Sequence, residues 1–221
     1  MEIALVFLGL LMAAVVWWLI KQSINTQPWA EEGVIGNDHA GGPLSLPAKK
    51  IGLIAFIAVA TSLFMLFFSA YNLRMDYPDW VELKDPKVLW LNTALLFVAS
   101  IFYQLAKTAA QRSNEGKVRV NLVMAGVFTL CFLAGQYWAW QQMHDQGLFL
   151  YTNPANAFFY VLTGVHAIHI LGGLWVWARS TLKAWSGVEA YKIRTTVELC
   201  TMYWHFLLLI WLLMFYLLLE T

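Results

Sequence analysis

With 221 residues, 60% of them hydrophobic and only 12% charged, the chain has too few polar side chains to cover a water-facing globule of its size. Lipid is therefore the expected solvent for most of it. Its 14 Lys plus Arg nearly balance 13 Asp plus Glu, which leaves no basic face to hold nucleic acid through phosphate contacts.

A bilayer core about 30 Å thick takes about 20 apolar residues of helix. Six runs approach that length, at roughly 3–20, 51–71, 88–108, 120–142, 156–178 and 198–219. The pattern lacks the alternating ten-residue strands that mark a membrane barrel, so the expected fold is an all-α polytopic membrane protein.

In the first run Glu2 stands where a signal peptide would carry a basic residue, and Lys21 follows the run. Residues 1–21 thus read as a retained anchor. Residues 22–49, with Gly33, Gly36, Gly41, Gly42, Pro43 and Pro47 among acidic and amide side chains, read as a linker. Residues 50–221 then form a five-helix membrane domain.

In the second run Ala58, Ser62 and Ser69 suggest close helix contact. A turn rich in carboxylate and aromatic groups follows, Asp76-Tyr-Pro-Asp-Trp80, and Pro86 suits the start of the next helix. Asn92, Ser100 and Gln104 of the third run fall within one third of a helix surface and are expected to face protein. In the fourth, Gln136 and Trp140 either line a polar path or bridge helices. The fifth carries His166 and His169 on one turn, one turn beyond Thr163, and the small residues Gly164, Gly172 and Gly173. The sixth sets Glu198 and His205 almost in line, with Thr201 between them. Cys131 and Cys200 both lie in apolar runs, where a thiol acts as a small hydrophobe.

Eleven of the 14 basic residues, Lys21, Lys49, Lys50, Lys107, Arg112, Lys117, Arg119, Arg179, Lys183, Lys192 and Arg194, fall on one side of this arrangement. Only Arg74, Lys84 and Lys87 fall on the other. Positive-inside bias then puts the loops after the first, third and fifth runs in the cytoplasm and both termini outside. Trp80, Trp90, Trp140 and Tyr151 would lie near the outer headgroups, and Trp17, Trp18, Trp177 and Trp185 near the inner ones.

Ionisable groups within spans are costly, so His166, His169, Glu198 and His205 lead the search for a site. Three imidazoles and a carboxylate on two helices allow a metal site or bis-histidine haem ligation. The same groups also serve as hydrogen-bonded joints between helices or against a neighbouring chain. Spacing favours the joints, because His205 lies about 10 Å along the helix axis from Glu198. A transporter would show broken helices and echoing halves, and neither pattern is present in the sequence.

The stretch Phe158-Phe-Tyr-Val-Leu-Thr-Gly-Val-His-Ala-Ile-His-Ile170-Leu-Gly-Gly173 resembles the penultimate helix of subunit III of the haem-copper terminal oxidases. Glu198-Leu-Cys-Thr-Met-Tyr-Trp-His-Phe206, followed by Trp211, resembles that family's final helix. Leu89-Trp-Leu-Asn-Thr93 and Gly135-Gln-Tyr-Trp-Ala-Trp140 fit its earlier helices.

The resemblance runs from about residue 50 to the C-terminus and implies the five-helix form of the subunit, with the first span as an addition. It further implies an accessory chain of an oxygen-reducing, proton-translocating oxidoreductase in a bacterial cytoplasmic membrane. By the same resemblance this chain binds no haem or copper and carries no catalytic residue. Haem and copper belong to subunit I, the expected partner together with subunit II and membrane phospholipid. His166, His169, Glu198, Trp204, His205 and Gln136 are then candidates for structural, lipid or subunit contact. The run Val59-Ala-Thr-Ser62 lacks a carboxylate the family often carries, and Leu208 stands where it often has Asp. Both departures favour a supporting role over proton uptake. The accessory subunit of a nitric oxide reductase and a haem-binding electron carrier are the competing expectations.

Overall fold

The structure is a computed structural model and describes Trp17 and residues 48–81, 87–186 and 190–219. The chain divides into two compact units, Met1–Leu46 and Pro47–Thr221. In the first, Trp17 is helical and exposed. The rest of the expected first span, the linker as far as residue 47, and Pro86 lie outside the described residues; Ala48 and Lys49, expected in the linker, are helical.

Five helices long and apolar enough to cross a bilayer make up the described part of the second unit: α1 (Ala48–Met75), α2 (Val88–Gln111), α3 (Glu115–Asp145), α4 (Pro154–Trp185) and α5 (Ala190–Leu219). This is the expected all-α polytopic bundle. Each helix outruns the apolar stretch that announced it, α5 by eight residues at its start. Charged residues such as Glu115, Lys117 and Arg194 extend the helices because helical backbone satisfies its own polar groups on both sides of the hydrocarbon boundary.

The ends are fixed locally. Asn114 caps α3, its side chain accepting from the Lys117 amide at 3.1 Å. Gly147, at φ 74°, ends α3, and the Leu148 amide reaches back to the Met143 carbonyl at 3.0 Å. Asn153 caps α4 just ahead of Pro154. The same Asn153 donates to the Val81 carbonyl at 2.6 Å, pinning the turn after α1 to the start of α4.

Helix α5 is the hub, touching α1, α2 and α4, while α2 packs most extensively on α3. Phe64 of α1, Phe132 of α3, Phe159 of α4 and Trp211 of α5 meet in the core as fully buried rings. Close approach is required at Gly126, where a Cβ would overlap the Trp177 indole. At Gly173 a Cβ would lie 2.8 Å from the Tyr203 ring and 2.9 Å from that of Trp204. Gly173 thus bears out its expected role, whereas Gly172 meets nothing within 4 Å. Ala58, Ser62 and Ser69 of α1 are exposed, against expectation. Ser62 instead turns its hydroxyl back on the Ala58 carbonyl, 3.0 Å away, so a small side chain on α1 is satisfied within its own helix and needs no neighbour.

Candidate functional site

Several polar side chains of the bundle form joints between helices. At the first, Asn92 of α2 donates to Gln136 of α3 across 3.2 Å, both side chains being buried. At the α2–α5 contact, Trp211 of α5 donates its indole N–H to Thr93 of α2 at 2.9 Å, and Thr93 donates in turn to the Leu89 carbonyl. Helices α3 and α4 are tied twice: Trp140 to Thr163 at 3.0 Å and Trp177 to the Leu122 carbonyl at 2.7 Å. Indole is suited to this work, since its ring fills the interface while its single donor selects one acceptor. Trp140 and Trp177, expected at the headgroups, spend their N–H groups inside the bundle.

Helix α5 contributes the remaining joints. Thr201 donates to the Tyr103 carbonyl of α2 at 3.1 Å and to its own Val197 carbonyl at 2.8 Å. Tyr203 donates to the His169 carbonyl of α4 at 2.9 Å. His205 engages α2 through both ring nitrogens, Nδ1 at 2.5 Å from the Ser100 hydroxyl and Nε2 at 3.2 Å from Gln104 Oε1. Near the end of the span, Glu198 accepts from Arg194 at 3.1 Å and from Gln111 of α2 at 3.3 Å.

The six candidate residues therefore take separate places. His205 and Glu198 join α5 to α2. Gln136 joins α3 to α2. His169 directs Nδ1 to its own Val165 carbonyl at 2.8 Å and lies against the Phe64 ring, with centroids 5.3 Å apart. Trp204 is buried against Tyr103 at 4.9 Å between centroids. His166 is fully buried among Phe64, Phe132 and Trp211, and neither ring nitrogen has a hydrogen-bond partner among the described residues.

The three imidazoles thus point to three different environments, and the described residues hold no group of three His, Cys, Asp or Glu side chains placed to share one metal ion. Of the polar residues on α2, Asn92 and Ser100 are buried as expected, but Gln104 is exposed. Twelve residues at 100° each carry Gln104 about 120° around the helix from Asn92, to the rim of the buried arc. Neither Ser100 as the partner of His205 nor Asn92 as the partner of Gln136 was legible along the chain, since 105 and 44 residues separate the members of the two pairs.

Two crevices are lined in part by α5. One, of about 560 Å³, is apolar and lined by Phe56 and Leu53 of α1, His169 and Gly173 of α4, and Cys200 and Tyr203 of α5. The other, of about 360 Å³, is polar and lined by Lys50, Lys107, Thr195, Glu198 and His205.

No protein-family model matches the chain. It is 26% identical over 185 residues to cytochrome c oxidase subunit 3 of Synechocystis sp., a match covering 80% of this chain and 76% of that protein. Against cytochrome c oxidase subunit 3 of Thermostichus vulcanus the identity is 29% over 184 residues, 77% of this chain and 86% of the relative. It is also 26% identical over 182 residues to a heme-copper oxidase subunit I+III of Aeropyrum pernix, covering 76% of this chain and 22% of that longer protein.

Proposed function

We propose that the chain, whose described residues hold five long apolar helices and which is similar to several subunit 3 proteins, is the non-catalytic subunit III of a respiratory haem-copper oxidase. The observation that carries this reading is similarity to subunit 3 proteins across about four fifths of the chain. The interior supports it. Buried polar side chains such as Asn92 with Gln136, and Thr201 with the Tyr103 carbonyl, join one helix to another. Haem and copper belong, in this reading, to a catalytic subunit I; the name of the Aeropyrum pernix relative, a heme-copper oxidase subunit I+III, supports that pairing. Subunit II and phospholipid complete the set of partners.

The five-helix domain lies in a bacterial cytoplasmic membrane with both termini on the outer side, and residues 1–21 add a further span joined by the linker 22–49. The role of His166, His169, Glu198, Trp204, His205 and Gln136 is structural: they hold the helices that cover one flank of the catalytic subunit, with lipid between. Such a cover slows loss of the metal site during turnover and leaves the chemistry to the partner.

The test is a mild-detergent purification of this chain from its native membrane, with a visible spectrum and identification of what co-purifies. A haem-bearing subunit that keeps its absorbance when separated from this chain supports the proposal. A chain that emerges alone and coloured overturns it. Removing this subunit from the complex should shorten its active life more than it lowers its initial rate; unchanged inactivation kinetics would sink the stabilising role.

A further inference from the structure

The turn between α3 and α4 folds back on the helix it leaves. Gly147, at φ 74°, reverses the chain, and the Leu148 amide bonds to the Met143 carbonyl at 3.0 Å. Tyr160 of α4 donates its hydroxyl to the Leu148 carbonyl at 3.0 Å, and the Phe149 amide closes the tip of the turn on Thr152 Oγ1 at 3.1 Å. The end of α3, the turn and the second turn of α4 are thereby drawn round a third crevice, of about 730 Å³.

Its walls are aromatic: Tyr137 and Trp140 of α3, Phe149 and Tyr151 of the turn, and Tyr160 of α4. The Phe149 and Tyr151 rings stack with centroids 5.5 Å apart and planes 6° apart, and Trp140 meets Tyr160 in a T-shaped pair at 5.9 Å. Trp140 spends its N–H on Thr163, and Tyr160 its hydroxyl on Leu148. What these two offer the crevice is ring surface rather than a hydrogen bond.

The fixed charge in the crevice is negative. Asp145, the last residue of α3, lines it, exposed and without an ion-pair partner among the described residues. It stands at the negative end of the α3 dipole. No Lys or Arg is among the lining side chains, and the His144 ring is engaged edge-on with Phe149, centroids 4.8 Å apart.

These features select a ligand class. An anion would meet a carboxylate with no cation to offset it. A metal ion would find one carboxylate where several oxygen ligands are needed. A wholly apolar ligand would strip water from Asp145 and put nothing in its place. Aromatic faces carry negative potential, so rings and carboxylate together favour a cation with an apolar surface.

We infer that this crevice binds a quaternary ammonium group of the choline type, with Tyr137, Phe149 and Tyr151 against its methyl groups and Asp145 as counter-charge. A free choline-like molecule and the headgroup of phosphatidylcholine present the same chemistry. The inference goes beyond the oxidase reading and does not rest on it.

The test uses the full chain in its native complex, with fluorotyrosine at position 151 as a fluorine NMR reporter, in phosphatidylglycerol nanodiscs. Added choline chloride should shift the resonance saturably. Sodium chloride should not, nor should the uncharged carbon analogue of choline, in which tert-butyl replaces trimethylammonium. Tyr137→Leu should weaken the response about two- to fivefold, the range for one exposed cation–π contact. Asp145→Asn should weaken it about fivefold, the factor for two unit charges about 4 Å apart in water. Both side chains are exposed, so neither change opens the core. In phosphatidylcholine nanodiscs, a resonance already at the choline-bound position identifies the lipid headgroup as the ligand, and one that still answers to added choline identifies the free molecule. Equal shifts with the uncharged analogue, or a response indifferent to Asp145→Asn and Tyr137→Leu, would overturn the site. So would a resonance that moves with neither choline nor phosphatidylcholine.

Discussion

At the scale of single residues, the Asn92 and Gln136 pair carries the clearest consequence. Both amides are buried in the α2–α3 contact and share one hydrogen bond, from Asn92 Nδ2 to Gln136 Oε1. Gln136→Met leaves the Asn92 amide unpaired in apolar surroundings and should destabilise the bundle by about 1–3 kcal/mol. Adding Asn92→Leu removes the orphaned group and should recover a large part of that loss, so thermal unfolding of the two single variants and the double variant in detergent will show non-additivity. A fully additive cycle would mean that the two amides do not depend on each other. Gly126→Ala is expected to cost about 1–3 kcal/mol by overpacking, because the new methyl group meets the Trp177 ring and disturbs its bond to the Leu122 carbonyl. Near-UV circular dichroism of the tryptophans and the melting temperature test this together. Gly173 was legible as a close-contact position because it lies in a cluster of glycines. Gly126 was not, since the indole that demands it comes from residue 177.

At the scale of elements, the turn after α1 depends on a charged pair. Arg74 in the last turn of α1 grips both carboxylate oxygens of Asp79, one at 2.7 Å, and its guanidinium lies 4.8 Å over the Tyr77 ring. The hydrogen bond from Arg74 is the leading cause that holds the Asp79 carboxyl below its usual range. A carboxyl depressed on folding contributes stability above its unfolded value, about 3.9, and loses it as pH falls through the lower folded value. Titration of Asp79 by carboxyl carbon chemical shift should therefore give a midpoint below the ordinary one, and Arg74→Gln should bring it back. An unchanged midpoint in Arg74→Gln would remove the pair from the account. The sequence showed this segment as an acidic, aromatic turn but gave no pairing, because the pair closes only when the helix end and the turn meet in space.

For the whole molecule, burial is uneven. Among the described helices, 11% of the most apolar window of α1 is buried, against 44% for α5. With α5 as hub and α1 held mainly by α5 and α4, amide exchange in detergent should be fastest in α1 and slowest in α5. Uniform exchange across the five helices would contradict that order. The sequence by itself determined that the chain lives in lipid, where its five described spans run, and which family its last two helices resemble, because hydrocarbon imposes length and composition on each span separately. Only the tertiary structure decided that His205 pairs with Ser100 and Gln104, that Gln136 pairs with Asn92, and that His166 stands among aromatic rings. Those outcomes depend on which helix lies beside which, and in lipid that choice is made by close packing and hydrogen bonds between distant residues, which leave no periodic trace along the chain.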